Sequence, residues 1–265
     1  MFDIHKFNVF YVEVSIAMTY NQRLPANMSL LRLQEKHVKK AIWEGNERLI
    51  RLQRHTIYCM KHSDRLDDRV KNLIHHAGFG HFLTLTHIEM NHHLITALVE
   101  RWRIETHIFH LPLGEAPITL EDVLVQLGLP IDGKPITGVS SDDLIPLWGD
   151  LLGSVRSKTV YKGNNIKLSW LNNEFQDLPH DADNVVIAQH ARAHILTLIG
   201  SLLMPDTSGG RVHLMYLLLL SNLNNVSNYS WGSGVLACLY RAFDHGVDFN
   251  QENIGGCTLL LQCWA

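Results

Sequence analysis

The sequence predicts a mainly α-helical, multi-helix globular domain with one or two small β-hairpins. Hydrophobic residues make up 46% and charged residues 18% of the 265 residues, a composition typical of a folded chain rather than a disordered one. A chain of this length can bury a large core. Its apolar residues recur mostly at helical spacings of three, four and seven, whereas the alternation typical of strands is confined to short stretches.

The segment that begins at Thr86 predicts an amphipathic helix. Thr86 and Glu89 have the spacing of a capping box, in which the threonine hydroxyl and the glutamate carboxylate satisfy free amides of the first turn. The apolar residues that follow would share one buried face. This face is predicted to contain Ile88, Ile95, Leu98, Val99 and Trp102.

A second helix is predicted to begin at Thr119, with Asp122 as the acidic member of its capping box. Glu121 is also favourable there, because the N-terminus of a helix carries a partial positive charge. Gly128 would end the helix. The predicted buried stripe consists of Leu120, Val123, Leu124 and Leu127.

Further helical patterns follow along the chain. Pro146 is tolerated in the first of them, because the first turn of a helix has no partner for the missing amide. Pro205 would end the longest one. The predicted ranges are Asp142 or Asp143 to Leu152, Asn184 to Leu203, Gly234 to Phe243, and the terminal TLLLQCWA.

The stretch ETHIFHLPLGEAPITLEDV combines histidines and acids in a pattern that could belong to a metal or acid/base site. We interpret it instead as a hairpin, in which HIFHLP is one strand, Gly114 turns the chain and APIT returns. Because side chains alternate faces along a strand, His107 and His110 would point to opposite sides and could not hold one metal ion. An Asp-Gly step at Asp132 is also typical of a hairpin turn.

The formal net charge is -3, but its distribution is uneven. Between Ser29 and Lys61 there are eight basic residues and three acidic ones. Such a segment is either a solvated basic face or a nucleic-acid contact surface. The predicted nucleic-acid contacts are Lys36, Lys39, Lys40, Arg48, Arg51 and Arg54.

Neither a membrane span nor a secretory signal is predicted. Apolar runs such as Met215–Leu220 are far shorter than the ~18 residues that a span requires. Asp3, Lys6 and Glu13 make the N-terminus unlike a signal or transit peptide. The four cysteines form no C-x-x-C pair, so they are predicted to be buried or free thiols. The expected location is the nucleus or the cytoplasm.

No motif predicts a catalytic, cofactor-binding or metal-binding site, so the chain is not predicted to be an enzyme and no small-molecule substrate is expected. The metal-binding blocks of metallophosphatases and the phosphate loop of pyridoxal-phosphate enzymes are missing from the sequence. Trp231 replaces the first glycine of the G-x-S-x-G motif, so Ser230 is interpreted as a cap or turn residue. His190 and His194 have zincin spacing but lack the glutamate between them.

Several long blocks, in order along the chain, resemble the plant mobile domain of the maintenance-of-meristems-like family. The first runs from AGFGHFLTLTHIEM to GLPIDGKPITG. ARAHILTLIG, MPDTSGGRVHLMYL, NYSWGSGVLACLYR and IGGCTLLLQCWA follow it, and LLRLQEKHVKKAIWEG precedes it. The resemblance implies a domain over residues 29–265, truncated at its C-terminal end, after an unmatched extension of residues 1–28.

This resemblance implies a noncatalytic protein-interaction module of transposon ancestry in the nucleus, linked to silencing of repeats, genome integrity and meristem maintenance. Some relatives carry the module joined to a phosphoprotein-phosphatase domain, which makes such a domain the expected partner. Relatives are also called aminotransferase-like or phosphatase 7 long form, although this sequence lacks the motifs of both activities. The alternative function is nucleic-acid binding through the basic segment 29–61.

Overall fold

The structure is a computed structural model that describes residues 33, 36–52, 66–85, 89–111, 113–138, 145–153, 160–208 and 210–265. The described residues are mostly helical, as the sequence predicts. The α-helices are α1 (Lys39–Trp43), α2 (Asp68–His76), α3 (His92–Val99), α4 (Leu120–Leu127), α5 (Ile145–Leu152), α6 (Leu168–Glu174), α7 (Asn184–Leu198), α8 (Met215–Leu219), α9 (Trp231–Gly246) and α10 (Thr258–Trp264). Short 3-10 helices span Gly80–Thr84 and Leu223–Asn228, and a π-helical turn at Ile199–Leu203 extends α7.

The described strands form two small antiparallel sheets of three strands each. Within each sheet, neighbouring strands are also neighbours in sequence order. The first sheet contains β1 (Trp102–Arg103), β2 (Ile108–Leu111) and β3 (Gly114–Ala116), and the second contains β4 (Tyr161–Lys162), β5 (Asn165–Lys167) and β6 (Arg211–His213). The fold class is therefore confirmed, with two small sheets in place of one or two hairpins.

The predicted helix at Thr86 begins later than expected. Glu89 is not helical, and α3 starts only at His92, where the Asn91 side-chain oxygen accepts a hydrogen bond from the Leu94 amide at 3.0 Å. Thr86 and Ile88 lie outside the described residues. Trp102 belongs to β1 rather than to the helix, so its position was predicted wrongly although it is completely buried.

The hairpin prediction succeeds at one place and fails at another. β2 and β3 form the hairpin of the Glu105–Val123 stretch, with Leu111 opposite Gly114. The Asp-Gly step at Asp132 makes no hairpin, because Lys134 forms a bridge with Tyr229 of a distant segment instead. Gly133 lies so close to the Asn228 carbonyl that an ideal Cβ would be 2.3 Å from that oxygen. Tertiary contact therefore determines the conformation of this turn.

Four of the remaining helix predictions are confirmed, although some of the helix ends differ. The predicted starting positions Asp142 and Asp143 lie outside the described residues, and the described part of α5 begins at Ile145. The range predicted from Asn184 to Leu203 is α7 with its π-helical extension. α9 starts earlier than Gly234, at Trp231, and the terminal helix is α10.

α7 is the central helix of the structure. It packs against α2, α5, α6 and α8, and most residues of its second half are buried. Asn184–Leu203 is long and apolar enough to cross a membrane. However, 67% of the apolar 18-residue stretch within it is buried inside the protein. We therefore interpret it as a core helix. The described cysteines, Cys238, Cys257 and Cys263, are free thiols.

α9 packs against the first sheet. Phe243 of α9 packs against Trp102 and Phe109, with ring centroids 4.8 and 5.4 Å away. At its other end, the Ser230 hydroxyl donates a hydrogen bond to the Ile131 carbonyl at 2.6 Å. Ser230 thus stands at the cap position of α9 as a structural residue, which agrees with its interpretation from sequence.

Candidate interaction surfaces

A group of exposed apolar side chains lies on α4 and at the tip of the β2–β3 hairpin. Leu113 is 98% exposed, Val125 73% and Leu124 45%, and Leu120 is also exposed. We call these four residues the hairpin–helix patch. Exposed apolar side chains that lie next to one another, as Leu120, Leu124 and Val125 do on α4, are characteristic of surfaces that bind other proteins.

Local contacts hold α4 in place. The Thr119 hydroxyl accepts from the Asp122 amide at 3.2 Å, and the Asp122 carboxylate accepts from the Thr119 amide at 2.7 Å. Gly128 ends the helix in the left-handed conformation, with φ 63°. The predicted capping box and helix end are both confirmed.

The buried side of α4 is narrower than the sequence predicts. Val123 and Leu127 are buried, but Leu120 and Leu124 are exposed, so their assignment to the core was wrong. α9 and α10 both contact α4. Because an eight-residue helix that packs from one side buries only one stripe, the two outer leucines remain at the surface.

Arg48, one of the predicted nucleic-acid contacts, has a structural position. Its guanidinium donates hydrogen bonds to the carbonyls of Gly246 and Asp248, both at 2.7 Å, at the C-terminal end of α9. It also lies 3.9 Å from the Glu100 carboxylate, and its side chain is only 8% exposed. Burial is the main cause that lowers the pKa of Arg48, and Glu100 opposes it. These contacts leave little of the guanidinium for a ligand.

The other predicted nucleic-acid contacts do not share one environment. Arg51 has a 76% exposed side chain, 3.8 Å from the Glu252 carboxylate. Lys36 and Lys40 are exposed. Arg54 lies outside the described residues. Their role in nucleic-acid binding stays a prediction.

Lys39 lies close to two arginines that are distant in sequence. Its side chain is half-buried, and burial together with Arg103 and Arg101 lowers the pKa of its ammonium group to about 8. Arg101 and Arg103 are buried, and Arg101 donates to the Ala97 carbonyl at 2.9 Å. No sequence pattern marks these two arginines, because only the fold brings them to the basic segment.

His37 connects the basic segment to β1. Its Nδ1 accepts a hydrogen bond from the Lys39 amide at 3.1 Å, so its Nε2 carries the proton and donates to the Trp102 carbonyl at 2.8 Å. The pKa of His37 is lowered to about 4, mainly by burial, with the hydrogen bond to the Trp102 carbonyl opposing and Arg103 and Lys39 adding to the effect of burial. His37 is therefore neutral at pH 7.

The two histidines of the hairpin stretch contact different carboxylates. His107 lies in the turn before β2, with φ 52°, and its Nε2 is 3.2 Å from Asp244. His110 lies on β2, and its Nε2 is 3.3 Å from Glu115. The prediction that both belong to one strand is wrong for His107, because β2 begins at Ile108.

Asp244 also accepts a hydrogen bond from the Trp102 indole at 2.8 Å. The sequence offered no signal for this contact, which joins residues 142 positions apart. Elsewhere, His190 is buried, and its ring nitrogens contact the carbonyls of Val186 and Asp177. Within the described parts of the chain, no group of three or more His, Cys, Asp or Glu residues is arranged to hold a metal ion.

Comparison with known proteins gives consistent matches. The family described as plant mobile domain matches residues 78–265. Protein MAIN-LIKE 1 of Arabidopsis thaliana is 44% identical over 246 residues, which are 91% of this chain and 48% of that protein. Protein MAINTENANCE OF MERISTEMS of the same plant is 39% identical over 241 residues, 90% of this chain and 50% of that protein.

A third Arabidopsis thaliana relative is named serine/threonine-protein phosphatase 7 long form homolog. It is 38% identical over 242 residues, which are 91% of this chain but only 18% of that protein. The chain thus spans about half the length of MAIN-LIKE 1 and a smaller share of this relative. No solved structure matches the chain. The matches confirm the resemblance that the ordered sequence blocks indicated.

Proposed function

Because the chain belongs to the plant mobile domain family and is related to the MAIN-like meristem-maintenance proteins, we propose that it is a noncatalytic protein-interaction module that acts in the nucleus. The observation that supports this proposal is the hairpin–helix patch. Three of its apolar side chains extend from the capped helix α4, and the fourth lies at the turn between β2 and β3. The inferred role is to bring a partner into a nuclear complex that silences repeats and maintains genome integrity.

The patch can contribute substantial binding free energy. Fully burying a leucine or valine side chain contributes about 1.5–3 kcal/mol relative to leaving it exposed. Leu113 and Val125 have the most surface left to bury, and Leu120 and Leu124 lie beside Val125 on α4. A partner that covers all four would therefore gain several times the free energy of a single contact.

The proposed partner is a phosphoprotein-phosphatase domain supplied by another chain. The relative named as a phosphatase 7 long form homolog supports this choice. The segment similar to this chain takes up only 18% of its length, which leaves most of that protein for other domains. A module of this family and a phosphatase would then act together, either within one protein or between two. The alternative location of the module is the cytoplasm.

Affinity purification from plant nuclei tests the proposal, with the tagged chain compared to a Leu113→Ser/Val125→Ser variant. We expect a phosphoprotein phosphatase to be recovered with the unmodified chain in moderate salt and to be lost with the double variant. Val185→Ser is the matched control, because Val185 is 60% exposed on α7, outside the patch. Equal recovery with all three chains, or recovery of no phosphatase, would contradict the proposal.

The alternative function, nucleic-acid binding, is favoured by the exposed side chains of Lys36, Lys40 and Arg51. Neutralising these three residues while leaving Arg48 intact should then abolish retention on DNA and flatten its salt dependence, since phosphate contacts release counterions. Retention that is unaffected by the triple variant would remove this alternative.

A further inference from the structure

A groove of about 610 Å³ lies at the surface where α2 meets α7 and the 3-10 helix Leu223–Asn228. Its volume falls within the range of about 300–1,000 Å³ that is usual for ligand pockets. None of its described lining residues belongs to the hairpin–helix patch. The groove is therefore a second surface with a composition of its own.

The floor of the groove is apolar. Ile187 of α7 and Leu223 of the 3-10 helix are buried, and Leu73 of α2 is half-buried against the core. Covering apolar surface that would otherwise contact water is favourable. The floor therefore suits an apolar side chain of a ligand.

Two asparagines on the rim have amide groups available for a ligand. Asn184 opens α7, Asn224 lies on the 3-10 helix, and both side chains are exposed and form no hydrogen bond within the described parts of the chain. Caps hold the backbone at both places. Asp183 accepts from two amides of the first turn of α7 at 2.9 Å, and Asn222 accepts from the Asn224 amide at 3.0 Å. A carboxamide offers both donors and an acceptor, which match the C=O and N–H of a peptide group.

Arg192 supplies a positive charge to the groove. Its guanidinium donates to the carbonyls of Leu220 and Ser221, both at 3.0 Å, and to that of Leu151 at 3.1 Å. A guanidinium has five N–H donors, so two remain. The three carbonyls orient Arg192 but carry no formal charge.

The lining does not balance this charge. No aspartate or glutamate is among the described lining residues, and within the described parts of the chain no carboxylate forms an ion pair with Arg192. The second arginine of the groove, Arg69, is paired with Asp67 at 3.0 Å. Burial lowers the pKa of Arg192, but an arginine keeps its charge at pH 7. An acidic ligand would therefore meet a cation that has no carboxylate partner.

We propose that the groove binds an extended segment of a partner protein that contains an aspartate or glutamate. Asn184 and Asn224 bond the backbone of this segment, the floor receives an apolar side chain, and the carboxylate meets Arg192. The charge-assisted hydrogen bonds between a guanidinium and a carboxylate are about twice as strong as neutral ones. A nucleic-acid strand fits less well, because it requires a row of exposed cations along its backbone.

Titration of the complete chain with acetyl-Ala-Leu-Glu-Ala amide, followed by two-dimensional amide NMR, tests the proposal. We expect saturable shifts at residues 69–73, 184–192 and 221–224. The same peptide with Gln in place of Glu should bind at least about fivefold more weakly, because it loses the charge-assisted hydrogen bonds. This comparison tests Arg192 without removing it from its three carbonyls. Shifts without saturation, or equal binding of the two peptides, would overturn the proposal.

A variant on the rim tests the contact with the peptide backbone. Asn224→Ala should weaken binding of the Glu peptide about fivefold, the fold-change expected for the net contribution of one hydrogen bond. Asn225→Ala is the matched control, because Asn225 is an exposed neighbour on the same 3-10 helix that does not line the groove. The amide spectrum of each variant reports whether its fold is retained. Equal affinities of the two variants would contradict the proposed contact.

A small carboxylate is the competing ligand for this groove. N-acetylglutamate amide carries the same carboxylate without the flanking peptide groups, so we expect it to bind more weakly than the tetrapeptide. Equal affinity would assign the groove to small carboxylates and overturn the peptide proposal. The test uses the purified chain alone and a surface outside the hairpin–helix patch, so its result is independent of the phosphatase contact proposed above.

Discussion

The hairpin–helix unit, residues 108–128, and residues 36–52 of the basic segment obtain their structure from contacts of very different range. In the first, the capping box joins Thr119 to Asp122, three positions away. In the second, Arg48 donates to carbonyls that lie 198 and 200 positions away. The comparison teaches that short-range contacts preserve the secondary structure predicted from sequence, whereas long-range contacts turn a predicted binding residue into a structural one.

Trp102 links the two regions, so its removal should have the largest effect. Its carbonyl accepts from His37, its indole donates to Asp244, and its ring packs on Phe109 and Phe243. Trp102→Ala should lower the free energy of unfolding by about 3–5 kcal/mol through the cavity that it creates. Urea unfolding measures this loss.

Two comparisons sharpen the result for Trp102. Trp102→Phe should lose less free energy of unfolding than Trp102→Ala, because it keeps most of the packing. Leu113→Ala should change the free energy of unfolding by less than about 0.5 kcal/mol, as expected for an exposed side chain. Hydrogen exchange should become faster in both α1 and α4 of Trp102→Ala. Faster exchange in only one helix would show that the two regions are not coupled through this residue.

The basic segment should make stability depend on pH through His37. Its pKa is about 4 in the folded protein and 6.5 in an unfolded chain, so unfolding takes up a proton between these values. The stabilisation is complete above pH 6.5 and decreases as the pH falls towards 4, by up to about 3 kcal/mol. Urea unfolding at pH 7 and pH 4.5 measures it.

His37→Gln is the matched variant, because an amide can still accept from the Lys39 amide and donate to the Trp102 carbonyl. We expect its stability to fall less between pH 7 and 4.5 than that of the unmodified chain. Arg103, Lys39 and Glu105 surround His37, and the two basic groups keep their charges over this range. An identical pH dependence in the variant would mean that other groups cause the loss.

A paired test separates structural from exposed cations within the basic segment. Arg48→Met should cost about 2–3 kcal/mol, because it removes charged hydrogen bonds to two carbonyls at the end of α9. Arg51→Met should cost at most about 1 kcal/mol, since its ion pair with Glu252 is exposed. Thermal unfolding of both variants measures the difference, and similar losses would refute the structural role of Arg48.

The smallest expected effect on stability is in the hairpin–helix unit. Thr119→Ala should cost about 1 kcal/mol, because the Asp122 amide loses its acceptor, whereas Thr119→Ser keeps the hydroxyl and most of the stability. Denaturant unfolding can compare both variants with the unmodified chain. A loss in Thr119→Ala as large as that in Trp102→Ala would show that α4 depends on more than its own cap.

The second sheet shows what sequence reasoning can miss even when a local signal exists. Gly163 and Asn164 join β4 to β5 as a two-residue turn, with Gly163 at φ 57°, and this is a hairpin signature. The third strand, β6, is more than 40 residues away, so its pairing has no local signal. The turn between two strands can therefore be predicted from the local sequence, whereas the pairing of a distant third strand depends on the fold.

The sequence by itself determined the mainly helical class, the capped α4, the hairpin beside it and the family to which the chain belongs. These features depend on side-chain periodicity and on contacts within a few residues, which a sequence displays directly. Only the tertiary structure decided that Leu124 is exposed, that Arg48 is bound to distant carbonyls, and that burial, Arg103 and Arg101 lower the pKa of Lys39. The physical reason is that burial and charge depend on the neighbours that other elements bring, and those neighbours are set by how the elements pack.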